Sequence, residues 1–144
     1  MIMSKKQDIF DDIDRFLDKD IYIDKKIIFF GGNNEIDDDG EVNYFTSKNM
    51  IKKLLILDNF SANKPINIIM DTPGGDVFSG LAIYDTIKLL KSKVNIIVIG
   101  SAMSMGSVIL QSANKRIMSK NARLMLHDGY VTNKGAYKTA EAWS

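Results

Sequence analysis

The stretch INIIMDTPGGDVFSGLAIYDTIK, residues 66–88, contains the pattern that decides the fold. An apolar run, Ile66–Met70, leads into a turn with one proline and two glycines, and apolar residues at helical spacing follow over Val77–Lys91. An unbroken apolar strand followed directly by a helix is typical of parallel sheets, whose strands are joined by helical crossovers. The stretch therefore predicts one strand–turn–helix unit of an α/β protein.

The same alternation continues on both sides of this unit. Before it, the sequence predicts an amphipathic helix in the first two dozen residues, a strand at Ile27–Phe30 and an acidic loop at Asn33–Glu41. A second helix is predicted to begin at Thr46 or Ser47, either of which could be its N-cap, and to end before a turn at Ser61–Pro65. This helix has a broad apolar face, formed by Met50, Ile51, Leu54, Leu55 and Ile56. After it, the sequence predicts a strand at Val94–Ile99, a short apolar helix at Met105–Ala113, and two short strands, Arg116–Met118 and Arg123–His127. Strands this apolar predict a sheet that is covered on both faces.

Composition indicates a soluble globular domain. The chain has 144 residues, 45% of them hydrophobic and 26% charged, with a mean hydropathy of -0.08, values that suit a single domain. No apolar run is long enough to span a bilayer, and no apolar segment follows Met1–Lys6 as in a signal peptide. We expect a cytoplasmic protein that binds no membrane.

Residue counts exclude several kinds of chemistry. The chain has no cysteine and one histidine, which excludes disulfides, thiolate catalysis and cysteine-based zinc sites and predicts no metal centre. The net charge of +1 conceals an acidic first part, residues 1–41 with twelve acidic and six basic side chains, and a basic remainder with six and thirteen. The basic residues are mostly scattered lysines, which favours a solvated surface over nucleic-acid binding.

Residues directly after each strand are the ones to search, because ligands of open α/β sheets bind at the carboxyl ends of the strands. The first such place is Asp71–Asp76, where Gly74 and Gly75 permit positive φ and would let a ligand approach backbone amides closely. Taken alone, Pro-Gly-Gly is more often an ordinary strand-to-helix turn than a ligand-binding loop. It lacks the Gly-Lys-Ser/Thr ending of a phosphate-binding loop.

The second and third places supply a hydroxyl and a base. Ser104 lies between a strand and a buried helix, where free amides of the first turn would stabilise an oxyanion; the alternative is a plain N-cap, for which Ser101 is equally eligible. His127, the single histidine, ends the last predicted strand. A serine nucleophile needs a general base, so His127 is the candidate, although a lone histidine is also common as a surface residue.

Together, Pro73-Gly74-Gly75, the segment Ala102–Gly106 and the segment Leu124–His127 resemble, in order and spacing, the Clp protease proteolytic subunit family. The similarity runs from about Lys26 to Ser144 and is greatest to the variants found in phages and mobile elements. It implies an α/β fold of the ClpP/crotonase-like ββα-superhelix type. Because the similarity begins at about Lys26, we expect the amphipathic helix of residues 1–25 to be a peripheral segment and residues 26–144 to be a peptidase domain that is incomplete at its C-terminus.

The resemblance further implies a serine endopeptidase that cleaves unfolded polypeptides without metal or cofactor. Ser104 would be the nucleophile, His127 its base, and the amides of Gly75 and Met105 the oxyanion hole. The Gly74-Gly75 segment would bind the substrate as an added strand. Family members form homo-oligomeric rings that are usually served by an ATP-driven AAA+ unfoldase.

One departure from the family concerns the third triad residue. The family places an aspartate after a long handle helix beyond the histidine, and the sequence ends at Trp143-Ser144, within the region expected for that helix. Asp128 is not expected to replace it, because neighbouring strand residues point to opposite faces. Three explanations stay open: a truncated sequence, a natural short form that uses a dyad or another carboxylate, and a non-catalytic paralogue. For the 144-residue chain we expect weak or absent contact between rings, and therefore a monomer, a small oligomer or at most a single ring, because family members join their rings mainly through the handle helix. The rival function is that of a crotonase-like protein that handles acyl-CoA.

Overall fold

The computed structural model describes residues 2–32, 40–60 and 63–129. Among these residues, no helix combines the length and the apolar character needed to cross a membrane. The predicted loop at Asn33–Glu41 falls almost wholly outside the described residues, as do two residues of the predicted turn at Ser61–Pro65. The division at residue 25 stays a prediction.

Helices and strands alternate through most of the chain. The helices are α1 (Ile2–Lys19), α2 (Tyr44–Phe60), α3 (Val77–Leu89) and α4 (Met105–Gln111). The strands are β1 (Ile21–Tyr22), β2 (Ile27–Phe30), β3 (Ile66–Thr72), β4 (Val94–Met103), β5 (Lys115–Met118) and β6 (Arg123–Met125). Every predicted element is present, and β1 is an addition that the sequence reading did not predict. The α/β class is confirmed.

The strands form one mixed sheet in the order β1-β2-β3-β4-β5, with β6 also paired to β4. Only the β1–β2 pairing is antiparallel among the described strands. The ten-residue strand β4 pairs with β5 along Asn95–Val98 and with β6 along Ser101–Met103. Two short strands therefore lie end to end along one edge of β4, and β6 adjoins its carboxyl end.

The core lies on one face of this sheet. Alternate residues of β2, β3 and β4 are buried together with apolar residues of α2, α3 and α4. The opposite face is also apolar, but Phe29, Ile69 and Ile97 are only half-buried and Ile99 is 46% exposed. The prediction of a sheet covered on both faces is thus wrong for the described residues. The prediction failed because both faces of these strands carry large apolar side chains, although only one face packs against helices among the described residues.

The beginning of α2 was predicted two to three residues too late, and its cap was assigned to the wrong residue. The side chain of Asn43 accepts hydrogen bonds from the amides of Phe45 (2.9 Å) and Thr46 (3.0 Å). The Thr46 hydroxyl accepts in return from the Asn43 amide (2.9 Å), which makes a reciprocal capping arrangement. Of the predicted apolar face, Leu55 and Ile56 are about half exposed.

The other boundaries differ by a few residues. Strand β4 continues four residues beyond the predicted end, to Met103, and β3 continues to Thr72. Helix α3 ends at Leu89, because Leu90 is already extended. Strand β6 ends at Met125, so His127 follows the strand instead of ending it. The two strand extensions lead directly into the predicted functional segments.

Candidate active site

The pairing of β4 with β6 brings Ser104 and His127 together. Met103 is opposite Met125 in the parallel register, and the amide of Ser104 donates to the carbonyl of Met125 at 2.8 Å. His127 follows two residues later, and its Nε2 lies 2.8 Å from the Oγ of Ser104. Two side chains that are 23 positions apart in sequence are thus in hydrogen-bonding contact.

The second ring nitrogen of His127 determines which way this hydrogen bond runs. Its Nδ1 lies 2.8 Å from the backbone carbonyl of Asp128, which can only accept a hydrogen bond. The proton of a neutral imidazole therefore belongs on Nδ1, and Nε2 is the acceptor for the hydroxyl of Ser104. A general base acting on a serine needs this tautomer.

Within residues 2–32, 40–60 and 63–129, the ring of His127 is hydrogen-bonded to no carboxylate. Asp128 contacts the ring through its carbonyl and not through its side chain. The third triad carboxylate remains unassigned. Within this part of the chain, a peptide dipole takes the place that a full negative charge occupies in a Ser-His-Asp triad.

The backbone of Ser104 is the most unusual feature of the site. Its φ is 50° and its ψ is -120°, close to the conformation of the first central residue of a type II′ turn, which glycine normally occupies. The chain reverses here from β4 into α4. Although Ser104 stands at the N-cap position, its side chain makes no capping hydrogen bond, so the hydroxyl is directed to His127. The alternative of a plain N-cap is therefore wrong.

Residues Pro73–Asp76, which we call the glycine loop, depend on two positive φ angles: 94° at Gly74 and 148° at Gly75. The loop forms a parallel bridge with Val42, whose amide donates to the Gly74 carbonyl and whose carbonyl accepts from the Asp76 amide, both at 2.7 Å. A Cβ on Gly75 would overlap the Val42 carbonyl. Both glycines are therefore required by conformation and by close contact.

Gly74 is in close contact with the Ser104 segment. A Cβ on Gly74 would lie 2.8 Å from the Met105 nitrogen and 2.8 Å from the Ser104 Cβ. In the described part of the chain, the amides of Gly75 and Met105 donate to no protein acceptor. Met105 is the first residue of α4, where free amides are expected. The two backbone amides that the sequence analysis predicted as oxyanion donors are therefore free to bind a substrate oxygen.

Polar side chains at the strand ends hold these segments in place. Oδ1 of Asp71 accepts hydrogen bonds from both the amide and the hydroxyl of Ser101 at 2.8 Å, which ties the end of β3 to β4. Asp76 caps α3 by accepting from the amide of Ser79 at 2.7 Å. Hydrogen bonds from the side chain and backbone of Ser79 lower the pKa of the Asp76 carboxyl, and partial burial opposes them.

The sequence analysis included Asp71 and Thr72 in the candidate segment Asp71–Asp76 but assigned a role to neither, and it did not select Val42. Val42 is an isolated apolar residue after an acidic loop, and nothing local predicts its pairing with Gly75. Such a long-range backbone contact has no signature in a single sequence.

The predicted residues lie at the carboxyl ends of β3, β4 and β6. His127 is exposed and Ser104 is half-buried. Cavities of about 760 Å³ beside α1 and about 410 Å³ between α2 and α3 are lined by other residues. Among the described residues, no three His, Cys, Asp or Glu side chains converge as a metal site. An open site at the ends of these strands suits an extended chain.

Comparison with known proteins identifies the family. The family model described as Clp protease matches residues 10–141. This chain belongs to the Clp protease family. Among solved structures, a ClpP1 mutant from Listeria monocytogenes superposes with a TM-score of 0.63 at 29% identity, over 72% of this chain and 57% of that one. The Clp-like fold inferred from the three motifs is confirmed.

Curated members of the Clp protease family match over part of their length. The ATP-dependent Clp protease proteolytic subunit of Deinococcus radiodurans is 40% identical over 91 residues, which cover 62% of this chain and 45% of that protein. The ATP-dependent Clp protease proteolytic subunit 3 of Synechococcus sp. strain CC9605 is 37% identical over 105 residues, which cover 72% of this chain and 48% of that protein. This chain spans about half the length of these relatives.

Proposed function

We propose that the protein is a Clp-type serine endopeptidase that cleaves unfolded polypeptides through an acyl-enzyme. The hydrogen bond of 2.8 Å between Ser104 Oγ and His127 Nε2 carries this proposal. A serine held in an unfavourable backbone conformation, with its hydroxyl on the acceptor nitrogen of a histidine, is arranged for nucleophilic attack.

The reaction follows from the positions of these groups. Ser104 Oγ attacks the peptide carbonyl carbon while His127 Nε2 takes the hydroxyl proton. The carbonyl oxygen becomes an oxyanion that accepts from the amides of Gly75 and Met105. When the carbon–nitrogen bond breaks, His127 returns the proton to the departing amine. Water then attacks the Ser104 ester with the same base, which releases the acid product and restores the serine.

The proposed substrate segment, Gly74-Gly75, has one side available, because the backbone groups of Gly74 are already hydrogen-bonded within the protein. The amide of Gly74 donates to the Thr72 hydroxyl at 3.2 Å, and its carbonyl accepts from Val42. The amide of Gly75 has no acceptor among the described residues. An extended substrate would therefore lie along the side of the glycine loop opposite Val42, as an added strand.

We also propose a homo-oligomeric ring and an AAA+ unfoldase partner. The names of the curated relatives support an ATP-dependent system. The apolar sheet face around Phe29, Ile69 and Ile99 supports association, because patches of this kind mark interaction sites. The similarity to phage variants and the cytoplasmic location remain predictions made from the sequence.

Labelling with a fluorophosphonate tests the catalytic proposal. The probe forms a bond from phosphorus to the nucleophilic oxygen and releases fluoride, so the modified residue can be found by mass spectrometry. We expect modification of Ser104 in the wild type and none in Ser104→Ala. Ser101→Ala is the matched control and should still be labelled, because Ser101 is bonded to Asp71 and not to His127. Labelling that persists in Ser104→Ala would refute the mechanism.

The same measurement separates the rival functions. A non-catalytic ring subunit would assemble without being labelled. A crotonase-like protein would use the same amides for a thioester carbonyl, would be stabilised against heat by a CoA ester, and would not react with the probe. Both alternatives leave the contact of Ser104 with His127 without a role.

A further inference from the structure

The hydroxyl of Thr72 connects three segments of the candidate site. Thr72 is fully buried at the end of β3. Its Oγ1 donates to the carbonyl of Gly40 at 2.6 Å and accepts from the amide of Gly74 at 3.2 Å. One side chain therefore joins the end of β3, the segment that leads to Val42, and the glycine loop.

The glycine loop needs such external restraint. Glycine has unusually wide backbone freedom, so two consecutive glycines do not define the direction of their own peptide groups. Here the Gly74 amide is held by Thr72 and the Gly74 carbonyl by Val42. Because a trans peptide is planar, its N–H points opposite to its C=O. Fixing the Gly74 carbonyl on Val42 thus directs the Gly75 N–H away from Val42.

The methyl group of Thr72 reaches the second proposed donor. A Cβ on Gly106 would lie 2.6 Å from the Thr72 Cγ2, so the methyl rests against the backbone of α4 next to Met105. The two branches of the Thr72 side chain therefore contact both amide-bearing segments. Their relative position depends on this residue.

We infer that Thr72 is a positioning residue of the oxyanion hole: its hydroxyl fixes the Pro73–Gly74 peptide and, through the Gly40 carbonyl, the segment that leads to Val42, whose amide orients the Gly74–Gly75 peptide and with it the Gly75 N–H. This inference rests on the proposed function. Thr72 touches neither the substrate nor the reacting atoms, and it acts through Gly74 and Gly75. An oxyanion hole stabilises the transition state only when its donors are already aimed at the developing charge.

Two substitutions separate the hydroxyl from the methyl group. Thr72→Val keeps the shape and removes both hydrogen bonds, whereas Thr72→Ser keeps the hydroxyl and removes the methyl group. Losing a whole oxyanion donor costs about 10²–10³ in rate, and displacing one costs less, so we expect Thr72→Val to slow fluorophosphonate labelling about 10- to 100-fold. Thr72→Ser should stay within about 3-fold of the wild type.

The kinetic form of the defect distinguishes positioning from general damage. A donor that acts in the transition state affects the maximal labelling rate and leaves the half-saturating probe concentration unchanged. We expect that pattern in Thr72→Val at a temperature where thermal melts show both variants folded. Acylation of His127 by diethylpyrocarbonate needs no oxyanion hole and should proceed equally in the wild type and both variants.

Hydrogen exchange of backbone amides tests the inference without using activity. In the wild type and in Thr72→Ser, the Gly74 amide should exchange slowly and the Gly75 amide faster; in Thr72→Val, protection of Gly74 should be lost. A wild-type protein that does not label at Ser104 overturns the proposed function, and this inference with it. If the wild type labels but its Gly74 amide is unprotected, or if Thr72→Val labels at the wild-type rate, only the role of Thr72 is refuted.

Discussion

Replacing Ser104 with glycine should stabilise the fold relative to replacing it with alanine. Both substitutions remove the hydroxyl and its contact with His127, so this loss cancels in the comparison. They differ in the backbone, because the φ of 50° and ψ of -120° suit glycine and strain a residue with a Cβ. Strain of this kind costs about 1–3 kcal/mol.

Glycine also has a cost, which reduces the difference. Its greater freedom in the unfolded chain lowers stability by about 0.5–1 kcal/mol relative to alanine. The net expectation is that Ser104→Gly is about 0–2.5 kcal/mol more stable than Ser104→Ala, with the middle of this range near 1 kcal/mol. For a domain of this size, that corresponds to a melting temperature higher by about 3 °C per kcal/mol.

Chemical denaturation with a matched control decides the question. Ser101 lies in β4 and is not among the described residues with positive φ. Ser101→Gly should therefore be less stable than Ser101→Ala, by about 0.5–1 kcal/mol. The opposite order at positions 101 and 104 is the expected signature of strain at the nucleophile. If Ser104→Ala is more stable than Ser104→Gly by the same margin that separates the two variants at position 101, the backbone of Ser104 stores no strain and the reasoning fails.

Two further predictions concern the supports of the site. Because hydrogen bonds from Ser79 lower the pKa of Asp76 in the folded state, the contribution of the Asp76 carboxylate to stability should be complete above the ordinary pKa of 3.8 and should be lost as the pH falls through the folded pKa. Asp76→Asn keeps the cap, so a plot of its stability against pH should lack only this part of the acid dependence. Asp76→Ala should in addition lose about 1 kcal/mol of stability at neutral pH. The methyl group of Gly100→Ala would clash with both carboxylate oxygens of Asp71 and disturb the two hydrogen bonds that Asp71 accepts from Ser101. Urea denaturation should show a loss of about 1–2 kcal/mol of stability. An equal loss in an Asp71→Ala background would contradict this explanation.

Local patterns predicted the elements well because local forces form them. Runs such as Ile27–Phe30 and Ile66–Met70 can be buried only as strands or core helices, and the glycine loop separates the second from α3. Errors occurred where a distant partner decides the outcome. Asn43 is the cap of α2 in place of Thr46 or Ser47.

The candidate site was predictable in its residue types but not in its geometry. Ser104 and His127 follow from the chemistry that a serine nucleophile requires, and the spacing of the motifs indicated the family. The extension of β4 to Met103 and its pairing with β6, which set the distance between them, involve residues that are separated by more than twenty positions. A single sequence contains no signal for that register.

The contact of His127 with a carbonyl separates two roles that a triad carboxylate combines. A carboxylate keeps the imidazole in the correct tautomer and also stabilises the imidazolium that forms in the reaction. In the type case, replacing it with an amide lowers turnover about 10⁴-fold, because the wrong tautomer results. The carbonyl of Asp128 enforces the correct tautomer but offers only a dipole to the positive ring. With this partner alone, we expect His127 to be correctly oriented but its imidazolium form to be only weakly stabilised. The reactivity of Ser104 should therefore be lower than in a full triad and higher than with a histidine held in the wrong tautomer.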